Sequence, residues 1–114
     1  MPLKVYYLDD EPVLLEIFTD LFASESVSVR TFENPDEFLS AVQKDPPDLT
    51  FLDYRLGKVT GDEVALRMSE SIPKAMITGE ITTAPLAKFD RIFGKPYKIP
   101  EIEAFIASYR QKAA

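Results

Sequence analysis

Apolar and polar positions follow two alternating patterns along the chain. Short apolar runs rich in β-branched and aromatic residues predict strands, and apolar positions three and four residues apart predict helices between them. The five predicted strands end on or near Leu8, Thr31, Asp53, Thr78 and Gly94. Right-handed crossovers between such strands predict an α/β fold, a doubly wound parallel sheet with helices on both faces.

Helix starts are marked by residues that favour the first turn. Pro12, Asn34-Pro35 and Pro100-Glu101 each precede an amphipathic stretch, and Thr60 with Glu63 has the spacing of a capping box. The first helix has a broad predicted inner face of six apolar residues: Val13, Leu14, Ile17, Phe18, Leu21 and Phe22. The third helix should bury Val64, Ala65 and Met68, and the last should bury Ile102, Phe105, Ile106 and Tyr109.

The segment from Gly79 to Asp90 carries the weakest pattern in the chain. Thr83 to Leu86 is suited to a helix start, but the fifth strand follows at Arg91 and leaves little room. The sequence therefore predicts that the helix between the fourth and fifth strands is short or irregular.

The amino-acid composition limits the classes of function that this chain can have. A chain of 114 residues with 46% hydrophobic residues is of the size of one folded domain, so residues 1–114 are expected to form a single domain. The net charge of −6 argues against direct binding of nucleic acid. No apolar run approaches a membrane span, and the absence of cysteine fits a cytoplasmic protein. Without histidine or cysteine, chemistry must use carboxylates, hydroxyls and ammonium groups.

Polar residues follow the strands at the points where open α/β sheets hold ligands. They are Asp9 and Asp10 after the first strand, Asp53 at the end of the third, Thr78 after the fourth and Lys95 after the fifth. Each has an ordinary alternative: a loop or helix cap for the acids, a strand end for the hydroxyl, a solvated charge for the lysine. Together at one edge, three carboxylates would repel unless they held a hard cation such as Mg²⁺. With a lysine and a hydroxyl nearby, a carboxylate can act as nucleophile and form an aspartyl phosphate, and Asp53 is the best-placed candidate.

These motifs, in this order, resemble the receiver domains of two-component response regulators, the CheY-like superfamily. The resemblance covers essentially the whole chain, and Gly61 also falls where that family has a loop glycine. It implies the flavodoxin-like (βα)5 fold with strand order 2-1-3-4-5. It also implies a domain that is switched by its own phosphorylation and that does not turn over a diffusible substrate.

The resemblance further implies a role for each matching residue. Asp53 would accept a phosphoryl group from the phosphohistidine of a histidine kinase or a histidine phosphotransfer protein. Asp9, Asp10, Asp53 and the backbone carbonyl of Arg55 would hold Mg²⁺, with Asp9 acting directly or through water. Lys95, whose ammonium would be placed by a cis peptide bond to Pro96, would pair with Asp53 and then with the phosphoryl oxygens. Thr78 would move to bond the phosphoryl group and so signal to a downstream protein or output domain.

Three departures from the family pattern bear on regulation. Ile92 stands where an aromatic residue usually changes rotamer, and Phe93 should face the opposite side of its strand. The interval between Thr78 and Lys95 is short, which indicates either loss of the dimer surface common in the family or a neutral shortening of the loop. Gly57 replaces a frequent proline, and Arg55 and Glu80 are expected to pair beside the site and slow hydrolysis of the phosphorylated form.

Other functions stay open on the sequence alone. Ile92 and the short fourth helix also suit a receiver-like module that binds a partner without phosphorylation. An aspartyl-phosphate phosphatase would want a second acid two residues after its nucleophile, whereas Asp9 and Asp10 are adjacent. A flavin site is disfavoured because three acids would repel the cofactor phosphate.

Overall fold

The chain alternates strands and helices as the sequence pattern predicts. A computed structural model describes residues 1–80 and 85–113, with side chains up to residue 110. The strands are β1 (Leu3–Leu8), β2 (Val27–Phe32), β3 (Leu49–Asp53), β4 (Arg55–Leu56), β5 (Val59–Thr60), β6 (Lys74–Thr78) and β7 (Arg91–Gly94). The helices are α1 (Pro12–Phe22), α2 (Pro35–Lys44), α3 (Gly61–Leu66) and α4 (Ile99–Ala113).

Five strands form one parallel sheet in the order β2-β1-β3-β6-β7. Because β6 and β7 are the fourth and fifth strands of this sheet, the order is the predicted 2-1-3-4-5. The register places Leu8 beside Leu52 and Thr78 beside Gly94, so the strands end along one edge. That carboxyl edge carries the residues singled out in the sequence. The short antiparallel pair β4-β5, which the sequence pattern did not predict, follows it.

Alternation along the strands divides the core into two layers. Val5 and Tyr7 of β1 pack with α1 and α4, whereas Tyr6 and Leu8 pack with α2 and α3. The first layer is rich in aromatic rings, with the Phe18 ring 4.5 Å from that of Tyr7, centroid to centroid. Fully burying a large apolar side chain contributes about 1.5–3 kcal/mol, so both layers fix the strands that carry the edge.

Local signals fix the helix starts. Asn34 Oδ1 accepts the backbone N–H groups of Asp36 (2.8 Å) and Glu37 (3.1 Å), as expected of a helix cap. Glu63 Oε1 accepts the backbone N–H of Thr60 at 3.1 Å, one arm of the predicted capping box. No helix in residues 1–80 and 85–113 is long and apolar enough to span a membrane.

The predicted inner face of α1 is partly wrong. Phe18 and Phe22 are buried, but the third buried residue is Leu15, and Val13, Ile17 and Leu21 are 64%, 45% and 39% exposed. The apolar positions of α1 therefore form two faces, one in the core and one towards solvent. A hydrophobic pattern cannot separate these two faces because it registers apolarity and not the position of the neighbouring sheet.

The connection between β6 and β7 bears out the expectation of a short or irregular helix. Its described residues, 79–80 and 85–90, contain no helix, and the suggested helix start at Thr83 lies largely outside the described residues. Ile92 is 44% exposed while Phe93 is buried, so the two neighbours face opposite sides of β7 as predicted. The third helix ends at Leu66, and Met68 is buried just beyond it.

Candidate functional site

The three predicted carboxylates meet at the carboxyl edge of the sheet. Asp9 and Asp10 follow β1, Asp53 ends β3, and these two strands are neighbours. One oxygen from each of the three side chains lies within 4.8 Å of the other two. Asp9 and Asp53 are buried and Asp10 is exposed, so part of the cluster is enclosed by protein and part faces solvent.

Lys95 neutralises part of this charge. Its Nζ lies 2.8 Å from Asp53 Oδ1 and 3.3 Å from Asp9 Oδ2. The Lys95–Pro96 peptide bond is cis, as predicted, and the backbone N–H of Lys95 donates to the carbonyl of Thr78 at 2.9 Å. The ammonium group therefore lies between the two buried carboxylates.

Thr78 lies at the same edge but its hydroxyl is engaged elsewhere. Its side chain is buried, and its Oγ1 accepts the backbone N–H of Glu80 at 3.0 Å. The structure thus joins Asp9, Asp10, Asp53 and Lys95 in direct proximity, while the Thr78 hydroxyl links the edge to the β6–β7 connection.

Arg55 and Glu80 form the predicted pair. Arg55 Nε lies 2.9 Å from Glu80 Oε2 and Arg55 Nη2 lies 2.8 Å from Glu80 Oε1, a bidentate arrangement. The pair bridges the segment after β3 and the β6–β7 connection. The assignment of the Arg55 carbonyl as a metal ligand stays a prediction.

Burial and charge shift the pKa values of the central pair. Burial raises the pKa of Asp53, and the charges of Asp9 and Asp10 add to this although the hydrogen bond from Lys95 opposes it. Burial lowers the pKa of Lys95, but the hydrogen bond to Asp53 and the nearby negative charges outweigh it and raise the pKa overall. The site therefore favours a charged lysine and places an energetic cost on a charged Asp53.

Gly61 sets the shape of the loop beside Asp53. A Cβ atom at this position would lie 2.2 Å from the backbone oxygen of Asp53, closer than any real Cβ contact. Its backbone N–H donates to the carbonyl of Tyr54 at 2.8 Å. Only glycine fits here without displacing the end of β3.

Tyr7 is a site residue that the sequence analysis missed. Its buried hydroxyl donates to Asp9 Oδ2 at 2.6 Å. The signal was available, since residues two apart on a strand share a face and Tyr7 stands two before Asp9.

The donor set fits a hard divalent cation. Its three clustered groups are all carboxylates, which offer only oxygen, and one of them is open to solvent, as Mg²⁺ needs because it keeps several waters. The single charge of Lys95 leaves the three carboxylates with a negative excess that a cation offsets.

Comparison with known proteins agrees with the geometry. Residues 5–106 match the family model described as the response regulator receiver domain. The chain belongs to this family. It is therefore a receiver domain of the two-component response regulators, a family typically switched by phosphorylation, whose members generally bind Mg²⁺ at an acidic pocket.

Two relatives and two solved structures show the extent of the similarity. The chain is 28% identical over 108 residues to the DNA-binding response regulator MtrA of Mycolicibacterium smegmatis, covering 89% of this chain and 47% of MtrA. It is 28% identical over 111 residues to the probable transcriptional regulatory protein TcrX of Mycobacterium tuberculosis, with the same coverage of 89% and 47%. The chain thus spans about half the length of these relatives.

The structural neighbours support the fold alone. A receiver domain of an HD domain-containing protein from Pseudomonas fluorescens superposes with a TM-score of 0.87 at 13% identity, covering 98% of this chain and 97% of that one. A CheY-like receiver domain from Methanospirillum hungatei gives 0.87 at 18% identity, covering 98% and 96%.

Proposed function

We propose that Asp53 is the phosphoryl acceptor of this receiver domain and that Asp9, Asp10, Asp53 and the carbonyl of Arg55 hold Mg²⁺. The observation that carries the proposal is the ammonium of Lys95 at 2.8 Å from Asp53 within a cluster of three carboxylates. A buried carboxylate beside a fixed cation is suited to attack an electrophile and to tolerate the charge that arrives with it.

The transfer step follows from these groups. An oxygen of Asp53 forms a bond to phosphorus while the phosphorus–nitrogen bond of a donor phosphohistidine breaks and its electron pair returns to the imidazole. Lys95 stays within reach of the arriving phosphoryl oxygens, and Thr78 exchanges its bond to Glu80 for one to them. Mg²⁺, when bound, supplies positive charge against the oxygens of the transferring group. The domain acts on itself and on no diffusible substrate.

The exposed face of α1 supports a helical phosphohistidine partner. Val13, Ile17 and Leu21 recur at four-residue spacing, beginning three residues after Asp10, so one apolar stripe extends from the acid cluster. We infer that a helix of the histidine kinase or phosphotransfer protein packs there. Ile17→Glu should slow transfer from a phosphohistidine protein and leave transfer from acetyl phosphate unchanged; an equal loss with both donors would contradict this docking site. We propose that these events occur in the cytoplasm, which the absence of cysteine supports.

A phosphorylation-independent interaction module is the second candidate. It is favoured by the exposed Ile92 and by the lack of a helix in residues 79–80 and 85–90, which remove features of the usual output surface. It predicts that Asp53→Asn binds the downstream partner as well as the wild type does in its phosphorylated form.

The experiment that tests the proposal is phosphorylation by acetyl phosphate, followed by intact mass spectrometry. With Mg²⁺, the wild type should gain the mass of one phosphoryl group, and EDTA or Asp53→Asn should abolish the gain. Asp48→Asn, which alters a carboxylate outside the acid cluster, is the matched control and should behave as the wild type. A wild type that stays unmodified under these conditions would contradict the proposed function.

A further inference from the structure

Tyr7 and Asp9 lie on the same face of β1 and its extension. The Tyr7 ring is buried in the layer beneath α1, where it contacts the ring of Phe18. Its hydroxyl reaches the carboxylate of Asp9 at 2.6 Å, and both residues are almost fully buried. A tyrosine of the core thus donates a hydrogen bond to one carboxylate of the acid cluster from the protein interior.

The bonds of Asp9 leave little acceptor capacity unused. Oδ1 accepts the backbone N–H of Glu11 at 3.0 Å. Oδ2 accepts the hydroxyl of Tyr7 and the ammonium of Lys95, at 2.6 and 3.3 Å. Because a carboxylate oxygen offers about two lone-pair sites, Oδ2 is filled and one site on Oδ1 remains. The carboxylate is therefore held in one orientation by three donors.

The same bonds affect Lys95. Its Nζ is closer to Asp53 (2.8 Å) than to Asp9 (3.3 Å), while the Tyr7 hydroxyl takes the shorter bond to Asp9 Oδ2. A neutral donor from the core thus makes the shorter bond to Asp9 Oδ2, and the ammonium makes the longer one. The lysine is left nearer to the acceptor carboxylate.

We propose that Tyr7 is a positioning residue of the phosphorylation site: its hydroxyl fixes Asp9 so that Oδ1 serves the cation, directly or through water, and leaves Lys95 beside Asp53. This inference rests on the proposed function, since it concerns the same cation site. The competing explanation is that the hydroxyl only satisfies its own hydrogen bond in the core, as buried tyrosines require.

The test is the affinity of the unphosphorylated protein for Mg²⁺, measured by isothermal titration calorimetry. Tyr7→Phe removes only the hydroxyl. Because hydrogen bonds that orient a metal ligand typically change metal affinity 10–100-fold, its dissociation constant should rise about tenfold. Tyr6→Phe is the matched control: Tyr6 is the preceding residue on the opposite face of β1, and its hydroxyl donates to the carbonyl of Asp45 at 2.7 Å. It should leave the constant unchanged.

The possible outcomes separate this inference from the proposed function. If the wild type does not bind Mg²⁺, the proposed function fails; if it binds and a folded Tyr7→Phe binds equally well, only the role of Tyr7 fails. Should Tyr7→Phe not fold, the substitution is repeated in an Asp9→Asn background, which removes the buried charge. There it should add no further loss of affinity, because the hydroxyl acts through Asp9. An additional loss in that background would overturn the inference.

Discussion

The acid cluster and the β6–β7 connection are neighbours at the carboxyl edge of the sheet, and the two are held differently. Asp9 and Asp53 are buried and bonded to fixed donors, and no buried polar side-chain atom in the described part of the chain lacks a partner. In the connection, by contrast, Leu86 is exposed and is held through its backbone N–H, which donates to Asp62 Oδ2 at 3.2 Å. Ile92, just beyond, is also exposed.

This difference shows in which region the chain keeps the family pattern and in which region it departs from that pattern. The cluster matches the expectations drawn from the receiver resemblance, because its geometry is set by strand ends in a fixed register. The connection lacks a helix in its described residues, and β7, which follows it, has Ile92 at the position where the receiver resemblance implies an aromatic residue. We infer that phosphorylation chemistry is shared with the family and that the output surface is particular to this chain.

The largest expected effect on phosphorylation comes from disturbing the cluster through the backbone. Gly61→Ala would place a Cβ atom 2.2 Å from the oxygen of Asp53, so the end of β3 or the loop must shift. We expect a loss of about 1–3 kcal/mol or more in the free energy of unfolding, typical of overpacking, and strongly reduced phosphorylation. Urea denaturation and the acetyl phosphate assay measure the two effects. Gly94→Ala, where an added Cβ meets no atom within 4 Å, is the control and should change neither.

The cluster should also cost stability in its charged form. The pKa of Asp53 is higher in the folded state than its ordinary value, near 3.9, so folding favours the protonated form. The stability that folding gains from holding Asp53 in its protonated form is thus fully present below the unfolded-state pKa. It is lost as pH rises through the folded-state pKa. Asp53→Asn, neutral at every pH, should be more stable than the wild type at neutral pH, and the gain should shrink in acid.

Thermal melting in EDTA measures this gain. In a domain of this size ~1 kcal/mol shifts Tm by about 4 °C, which is readily resolved. Asp20→Asn, at an exposed position of α1, should not show the effect. A destabilised Asp53→Asn at neutral pH, or an equal gain at both pH values, would show that the burial and charge of Asp53 have been misjudged.

The Arg55–Glu80 pair joins the two regions, and its loss should have an intermediate effect. Arg55→Ala should speed dephosphorylation several-fold, because we infer that the bidentate pair with Glu80 shields the phosphoryl group from water. The free energy of unfolding should change little, since Arg55 is largely exposed and solvent screens its ion pair. Decay of the phosphorylated form after removal of the donor measures the rate. The control is Arg67→Ala, near Asp36, whose phosphorylated form should decay at the wild-type rate. An unchanged decay rate in Arg55→Ala would contradict the proposed role of the pair.

The smallest effect is expected at Ile92 of β7, just beyond the connection. Ile92→Ala should change the free energy of unfolding by no more than ~0.5 kcal/mol and leave phosphorylation unchanged, because the side chain is exposed. Phe93→Ala, one residue later on the buried face, should cost about 3–5 kcal/mol. Chemical denaturation of both variants compares how much the exposed and the buried face of β7 contribute to the free energy of unfolding. A large loss in Ile92→Ala would mean that residue 92 is covered and that the contrast drawn here is wrong.

The sequence predicted the fold and the acid cluster for a physical reason. In a parallel sheet the carboxyl ends of strands meet at one edge, so Asp9, Asp53 and Lys95 are brought together by topology alone. The short β6–β7 connection followed from spacing, and the opposite faces of Ile92 and Phe93 followed from alternation. These features depend on the order and period of residues, which a sequence contains.

Other features depend on contacts that a sequence does not contain. The predicted inner face of α1 included Ile17 and omitted Leu15, because both residues are apolar and only the position of the sheet separates them. The pair β4-β5 is too short to leave a periodic signal. The spacing of Tyr7 and Asp9 puts them on one face, but the bond between them was missed because a tyrosine in a strand is an ordinary core residue until its hydroxyl partner is known.

The most direct test of the central claim is to identify the phosphorylated side chain itself. Borohydride reduction of the acetyl phosphate-treated protein converts an aspartyl phosphate to homoserine, and peptide mass spectrometry then locates it. The account predicts homoserine at position 53 alone and only when Mg²⁺ is present. Homoserine at position 9 or 10, or none in a folded protein with Mg²⁺, would contradict it.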